Sequence, residues 1–572
     1  MASQKKSRKA IAILVLLIII IAVVIILMLT RMMKKYSPSK DPADYASYYG
    51  LDSDDAMFVV VNNQRSEING MYIDGQAYVD YDTVHDKINS RFYWDPEEEI
   101  LRYTLPDALV SVKGDSAEYT VGQEKKQEAY TICMIKDGTM YMAMDFVKMY
   151  TDLRYKYYED PNRLVVSTEW GELTYTAMKR GTEVREKGGI KSPVLSTVKK
   201  GDLVSILETG DKWYKVCTED GFIGYVREKA LGHTQTVVQE STSEPVEYTK
   251  ISRDHPINLA WHQVTNMTAN ANIESVLSSV KGVNVISPTW FYLDGDDGSI
   301  ASLASYDYVN CCHSKDVEVW GLVSNLENTD VDVAKVLNTT SIRDNLVNQL
   351  IAAAIQYDLD GINVDFESLS SEVGDGFIQF IRELSLKCNN NGIVLSVDNY
   401  VPSEYTTMYQ RDEQALFADY VVLMAYDEHY SGSDEGPVAS IDFVKKGVED
   451  TLKEVPADQL ILGIPFYTRI WEETPSDTQE SGYTLSSEAV GMSEVESRLA
   501  ANGVRTQWLD DEGLYYAEYE KDGKTYKMWI EDQNSIEEKL KVYQDNNLAG
   551  VAFWKLGLEK NSIWDTIAKY VD

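Results

Sequence analysis

Cysteine is scarce in this chain: five residues in 572, at positions 133, 217, 311, 312 and 388. An odd number at those spacings excludes a dense disulfide framework and offers no metal-ligand motif. Adjacent Cys311 and Cys312 suit buried, small apolar positions better than a redox pair. The six histidines, at 85, 233, 255, 262, 313 and 429, form no H-x-x-x-H or similar cluster, so neither a metal nor any other cofactor is expected. Acidic residues are missing from the first 35 positions, which carry seven of the 54 Lys and Arg. The rest of the chain therefore sets 47 basic side chains against all 91 acidic ones, a net −44, which repels nucleic acid and excludes it as a partner.

Long apolar runs are also absent, with one exception. Ala10 to Leu29 is an unbroken stretch of twenty apolar residues, and at about 1.5 Å per residue it matches a hydrocarbon core of about 30 Å. A cleaved signal peptide has a shorter apolar region and an A-x-A-like cleavage site, and neither is evident. Basic residues flank the run on both sides, Lys5, Lys6, Arg8 and Lys9 before it and Arg31, Lys34 and Lys35 after it. The expectation is an uncleaved signal anchor over 1–35, a partner of the membrane, with a cytoplasmic N-terminus and the remainder outside.

What the chain does have is an alternating octapeptide, Asp360-Gly361-Ile362-Asn363-Val364-Asp365-Phe366-Glu367. A side-chain period of two puts Asn363, Asp365 and Glu367 on one face and Ile362, Val364 and Phe366 on the other. A carboxylic acid next to a carboxylate is what glycosidic cleavage asks for, because the leaving oxygen must be protonated as positive charge develops at the anomeric carbon. From 253 onward, strand-like runs alternate with helical stretches: 257–261, 283–288, 317–323, 361–367, 393–397, 420–426, 460–465 and 551–554. Eight such units in about 320 residues predict a (β/α)8 barrel, an α/β fold whose functional groups belong at the C-terminal ends of the strands. Small N-terminal β-rich and α+β accessory domains and one transmembrane helix complete the expected architecture.

The octapeptide resembles the D-G-x-x-x-D-x-E signature of family-18 glycoside hydrolases, the chitinase superfamily. Tyr420-Val-Val-Leu-Met-Ala-Tyr-Asp-Glu-His-Tyr430, Leu462-Gly-Ile-Pro-Phe-Tyr467 and Gly550-Val-Ala-Phe-Trp554 resemble its sixth, seventh and eighth strands in the expected order. The resemblance implies Glu367 as the general acid and Asp365 as the group that orients the sugar's 2-acetamido substituent, whose carbonyl oxygen replaces an enzyme nucleophile. It implies Tyr426 as a hydrogen-bond donor to that carbonyl. Asp360, Asn363, Asp427, Trp554, Met424 and His429 then become substrate-binding candidates. Asn363 stands where many chitinases have another Asp, and Gly321-Leu-Val-Ser-Asn325 lacks the usual S-x-G-G. An N-V-D-F-E core followed by M-x-Y-D-E-H is most similar to bacterial spore-cortex and cell-envelope N-acetylglucosaminidases, so the implied partner is a GlcNAc polysaccharide, with peptidoglycan ahead of chitin. A non-catalytic glycan-binding scaffold is the competing reading, and retention of Glu367, Asp365 and Tyr426 together argues against it.

Three accessory regions precede the barrel. Residues 36–56 read as a juxtamembrane spacer. Across 57–168 the chain repeats itself: Met71-Tyr-Ile-Asp-Gly-Gln-Ala-Tyr78 parallels Met134-Ile-Lys-Asp-Gly-Thr-Met-Tyr141, and Asp95-Pro96 parallels Asp160-Pro161. Each copy reads as strand, Asp-Gly turn, strand, short helix and a strand pair around an Asp-Pro turn, and is similar to the N-terminal domain of copper amine oxidases, here without a copper-ligand set. Residues 170–232, with Gly-Asp, Trp213-Tyr-Lys-Val and Gly221-Phe-Ile-Gly-Tyr-Val, resemble bacterial Src-homology-3-like barrels, in which Trp213, Tyr214 and Tyr225 form either a binding surface or core. A linker is expected over 233–252, and a β insertion over about 475–530 that could wall a sugar cleft.

Overall fold

The alternation of apolar strands and amphipathic helices closes into a barrel. In the computed structural model, which describes residues 2–571 apart from 242, 245 and 480, eight parallel strands run β1 (Ile257–His262), β2 (Val285–Leu293), β3 (Glu318–Ser324), β4 (Gly361–Asp365), β5 (Val394–Tyr400), β6 (Tyr420–Met424), β7 (Leu460–Pro465) and β8 (Gly550–Trp554). Each pairs with the next, and β1 pairs with both β2 and β8, so no edge is left open. Residues such as Val364, Val397, Val421 and Phe553 are fully buried against the surrounding helices. A second, inner cluster of Leu259, Trp261, Trp320, Val422 and Ile461 fills the barrel itself.

The connection from β7 to β8 carries an antiparallel five-stranded sheet: Tyr467–Pro475, Tyr483–Gly491, Gln507–Leu509, Leu514–Lys521 and Lys524–Ile530, with the helix Met492–Asn502. It begins at Tyr467, before the expected 475, because the chain turns into its first strand directly after β7. Below it, Lys539 Nζ and Glu531 Oε1 form a fully buried ion pair at 2.9 Å, and the Ser535 hydroxyl donates to Glu531 Oε2 at 2.6 Å.

The chain divides into two compact units, and the division cuts through the internal repeat. One unit holds residues 93–111, 120–125 and 246–572; the other holds 1–92, 112–119 and 126–245. Both copies of the repeat carry the same element order, Gly70–Ile73, Gln76–Asp80, helix Tyr81–Lys87, Tyr93–Asp95 and Ile100–Thr104 against Cys133–Lys136, Thr139–Ala143, helix Met144–Met149, Arg154–Tyr158 and Arg163–Ser167. The first copy's strand pair belongs to the barrel's unit. There Asp95 Oδ2 accepts from the backbone N–H of Thr340, at the start of the helix Thr340–Tyr357, at 2.7 Å. Arg343 of that helix makes a bidentate pair with Glu383 at 2.9 and 3.1 Å and lies over the Tyr93 ring.

In the other unit, Gly171–Met178 and the strands of the following small barrel form a seven-stranded sheet. Its last strand, Leu231–Gln239, corrects the expected linker, which starts only after 239; pairing with Gly171–Met178 supplies the hydrogen bonds a free segment would lack. Residues 242 and 245 of that linker lie outside the described residues. The expected spacer is packed rather than free: the helix Tyr45–Tyr49 stacks Tyr49 on Phe58 at 3.9 Å, in a cluster with Leu195 and Phe222. The N-terminal helix Ala2–Tyr36 is long and apolar enough to cross a membrane.

Candidate active site

The polar face of the octapeptide meets the C-terminal rim of the barrel. β4 ends at Asp365, and the chain beyond it is held straight by Asn325, whose Oδ1 accepts from the Glu367 N–H at 2.8 Å and whose Nδ2 donates to the Glu367 carbonyl at 2.9 Å. This clamp keeps Glu367 on the face of Asp365. The Glu367 Oε2 accepts the Tyr400 hydroxyl at 2.6 Å, from the end of β5. Burial pushes the Glu367 carboxyl above its ordinary range and the charges of Asp427 and Glu327 add to that, while the Tyr400 hydrogen bond opposes them. Asp365 is driven up more strongly, by burial first and then by Asp398, Glu367 and Glu327.

The opposite wall comes from β6 and the β7–β8 insertion. Tyr426 lies edge-on to Trp261 and to Tyr467, with ring centroids 6.5 and 6.4 Å away, and its hydroxyl is pushed upward by burial and by the nearby Asp365. Gly463 of β7 makes room for it, since a Cβ there would lie 3.3 Å from the Tyr426 ring and 2.7 Å from the Leu423 carbonyl. Asp427 is exposed; its Oδ1 accepts the Tyr467 hydroxyl at 2.6 Å and faces Arg469 at 3.5 Å. The insertion therefore supplies two of this carboxylate's partners. Met424, at the tip of β6, is 7% exposed. At the end of β8, Trp554 is half-buried and meets Trp261 edge-on at 5.9 Å.

Three expected site residues are placed elsewhere. Asp360 precedes β4, at the far end of the barrel from Glu367, where its Oδ2 pairs with His313 Nε2 at 2.9 Å and accepts the Val319 N–H at 2.8 Å. It pins the bottom of the barrel and cannot touch a ligand at the rim. Asn363 is completely buried, and its amide bonds to Asp398 rather than to Asp365. The interior layer beneath Asp365 is closed by side chains, so Asn363 acts from below the site. His429 braces its own loop, with Nδ1 3.0 Å from the Asp434 carbonyl and its ring against Gly436; none of these contacts reaches Asp365, Glu367 or Tyr426.

Four residues of the site were not anticipated from the sequence: Asp398, Tyr400, Glu327 and Tyr467. The first two were legible in principle, because Ser396, Asp398 and Tyr400 continue the alternation of β5 past its apolar residues. Tyr467 followed a strand already assigned, but its reach to Asp427 depends on the insertion's fold. Glu327, on an exposed loop after β3, carries no local signal. As assembled, the site offers a raised carboxyl on Glu367 that can give a proton to a ligand oxygen, next to further carboxyls that resist ionising together.

Comparison with known proteins identifies the barrel and the small domain that precedes it. The profile of the family described as Glycosyl hydrolases family 18 matches residues 257–559, and that of the bacterial SH3 domain matches 180–232. The glycosylase YvbX of Bacillus subtilis is 24% identical over 299 residues, covering 50% of this chain and 84% of that protein. The cortical fragment-lytic enzyme of Bacillus subtilis is 26% identical over 262 residues, 44% of this chain and 59% of that protein. The putative sporulation-specific glycosylase YdhD of Bacillus subtilis is 27% identical over 232 residues, 40% of this chain, and the stretches matched in it and in the cortical fragment-lytic enzyme are only 54% and 59% of those proteins' own length. The crystal structure of the Bacillus cereus spore cortex-lytic enzyme SleL aligns with a TM-score of 0.50 at 18% identity, over 59% of this chain and 78% of that one, and shares its fold.

Proposed function

This chain belongs to glycosyl hydrolases family 18, and from that premise we propose that it is a membrane-anchored hydrolase of β-1,4 bonds in a GlcNAc-containing polysaccharide, peptidoglycan first. The observation that carries the reading is the half-buried Glu367 carboxyl two residues beyond Asp365, held there by the Asn325 clamp and hydrogen-bonded by the Tyr400 hydroxyl. Glu367 gives its proton to the glycosidic oxygen as the bond breaks, and then takes one from the water that completes hydrolysis. Asp365 accepts a hydrogen bond from the N–H of the sugar's acetamido group and turns its carbonyl oxygen toward the anomeric carbon, which is attacked from within the substrate. Configuration is retained, because two inversions occur in sequence.

Tyr426 donates to the attacking carbonyl, Asp427 binds the same sugar ring, Trp554 stacks beneath it and Met424 lines its edge. Peptidoglycan is favoured over chitin by the company the barrel keeps. The matched relatives include cortical fragment-lytic enzymes, and the bacterial SH3 domain and the apolar helix Ala2–Tyr36 suit an enzyme held at a cell envelope. The helix acts as a signal anchor with the catalytic unit outside. Digestion of peptidoglycan and of chitin oligomers, with products resolved by mass, tests the substrate: muropeptides ending in reducing GlcNAc are expected. Equal release by wild type and Glu367→Gln would overturn the mechanism.

A further inference from the structure

Asp398 is a buried acid that the mechanism above does not use, and the hydrogen bonds beneath the site assign it a role. The orientation of the Asn363 amide is fixed by donors. Its Oδ1 accepts from the indole N–H of Trp261 at 2.9 Å and from the Ser287 hydroxyl at 3.0 Å. An indole nitrogen can only donate, so the amide must present its NH2 side to Asp398, and Nδ2 donates to Asp398 Oδ1 at 2.7 Å. One oxygen of Asp398 is thereby committed as an acceptor. The Trp261 indole also favours the charged form of Asp398, and its second oxygen has no direct side-chain donor among the described residues, which leaves it for its neighbour.

That neighbour is Asp365. β4 and β5 are parallel, with Asn363 opposite Ser396 and Val364 opposite Val397. One further step of the register sets Asp365 beside Asp398, with both side chains on the inward face at the strand spacing of about 4.8 Å. Asp398 is 2% exposed and Asp365 8%, and the Asp365 Oδ1 is buried without a protein partner among the described residues. Two carboxylates this close and this dry cannot both be ionised. We propose that Asp398 is a positioning residue that keeps one proton on its free oxygen and donates it in a hydrogen bond to Asp365, holding Asp365 as the anion that receives the substrate's acetamide N–H.

Burial is also the largest cause raising both acids, Asp398 included, where Asn363 and the Trp261 indole work the other way. The proton never leaves the pair during turnover. Asp365 stays anionic against the positive charge that develops at the anomeric carbon, and only Glu367 exchanges a proton with the substrate. The groups that act on the pair are Glu367 beyond β4, Glu327 after β3, Tyr409 after β5, Tyr426 following β6, and Asn363 and Trp261 beneath it. Asn363 fits this scheme better than a third acid would, since an amide supplies the donor and adds no charge.

The inference rests on the proposed hydrolysis, and its test separates the two. Activity on GlcNAc oligomers is measured against pH for wild type, Asp398→Asn, Asp398→Leu and Glu367→Gln, with folding checked by thermal unfolding. Asp398→Asn keeps an acceptor for Asn363 and places an N–H where the proton sat, so its kcat is expected within about three-fold of wild type. Asp398→Leu removes the donor; kcat is expected to fall by about ten-fold or more, and the acid limb to move to higher pH as a lone buried Asp365 holds its proton more tightly. A folded Asp398→Leu whose acid limb is unmoved, or an Asp398→Asn as impaired as Asp398→Leu, overturns the inference. Should Asp398→Leu fail to fold, Asp398→Asn alone decides, since a kcat loss of about ten-fold there refutes a neutral donor at this position. Full activity in Glu367→Gln would instead overturn the hydrolytic reading beneath it.

Discussion

Tyr400→Phe isolates one contact of the proposed acid. The phenol donates to Glu367 Oε2 at 2.6 Å, and its ring packs edge-on against Tyr409 at 5.9 Å, a contact that Phe preserves. The hydroxyl favours the carboxylate form of Glu367, so removing it makes the acid hold its proton more tightly. A hydrogen bond to a charged group is worth about 1.5–3 kcal/mol. With the proton about half transferred in the transition state, roughly half of that appears in the barrier, and at about 1.4 kcal/mol per factor of ten kcat falls about three- to ten-fold. The alkaline limb of the pH profile, set by loss of the Glu367 proton, moves upward. Steady-state hydrolysis of a soluble GlcNAc oligomer across pH measures both effects. An unchanged kcat, or an alkaline limb that moves down, would refute the assignment of Glu367 as the acid tuned by Tyr400.

Lys539→Met strands the buried Glu531 charge and is expected to cost about 3–5 kcal/mol, whereas the double change Glu531→Leu with Lys539→Met recovers most of it; urea unfolding of the four proteins in a mutant cycle checks this. Asp95→Ala leaves the first N–H of the helix Thr340–Tyr357 without its acceptor and should cost about 1–2 kcal/mol at an unchanged denaturant slope. Protease added to intact cells should digest the chain beyond residue 36 and spare a tag at the N-terminus; protection of the catalytic unit would refute the proposed orientation.

The barrel was legible because each of its strands is an apolar run bounded by polar breaks, and buried parallel strands read that way. The site was legible where side-chain alternation and strand direction coincide, at Asp365, Glu367 and Tyr426. Alternation reports which face a residue occupies and not its depth. Asn363 shares the face of Asp365 yet lies one layer below it, fully buried, and Asp360 belongs to the same string while marking the opposite end of the barrel. At β5 the reading stopped with the apolar residues at Val397, one position short of Asp398 and three short of Tyr400. Tyr45–Tyr49 looked like a polar spacer because most of the cluster that buries it, Leu195, Cys217 and Phe222, lies far along the chain. The pairing of Tyr467 with Asp427 likewise follows from the insertion's fold rather than from any local pattern.

The central claim is hydrolysis with the substrate's own acetamide as nucleophile, and the configuration of the first-formed product tests it directly. Proton NMR of a GlcNAc oligomer digest, recorded before mutarotation, should show the new reducing end as the β-anomer. Initial release of the α-anomer would mean a single inversion by water and would contradict the roles given to Asp365 and Glu367.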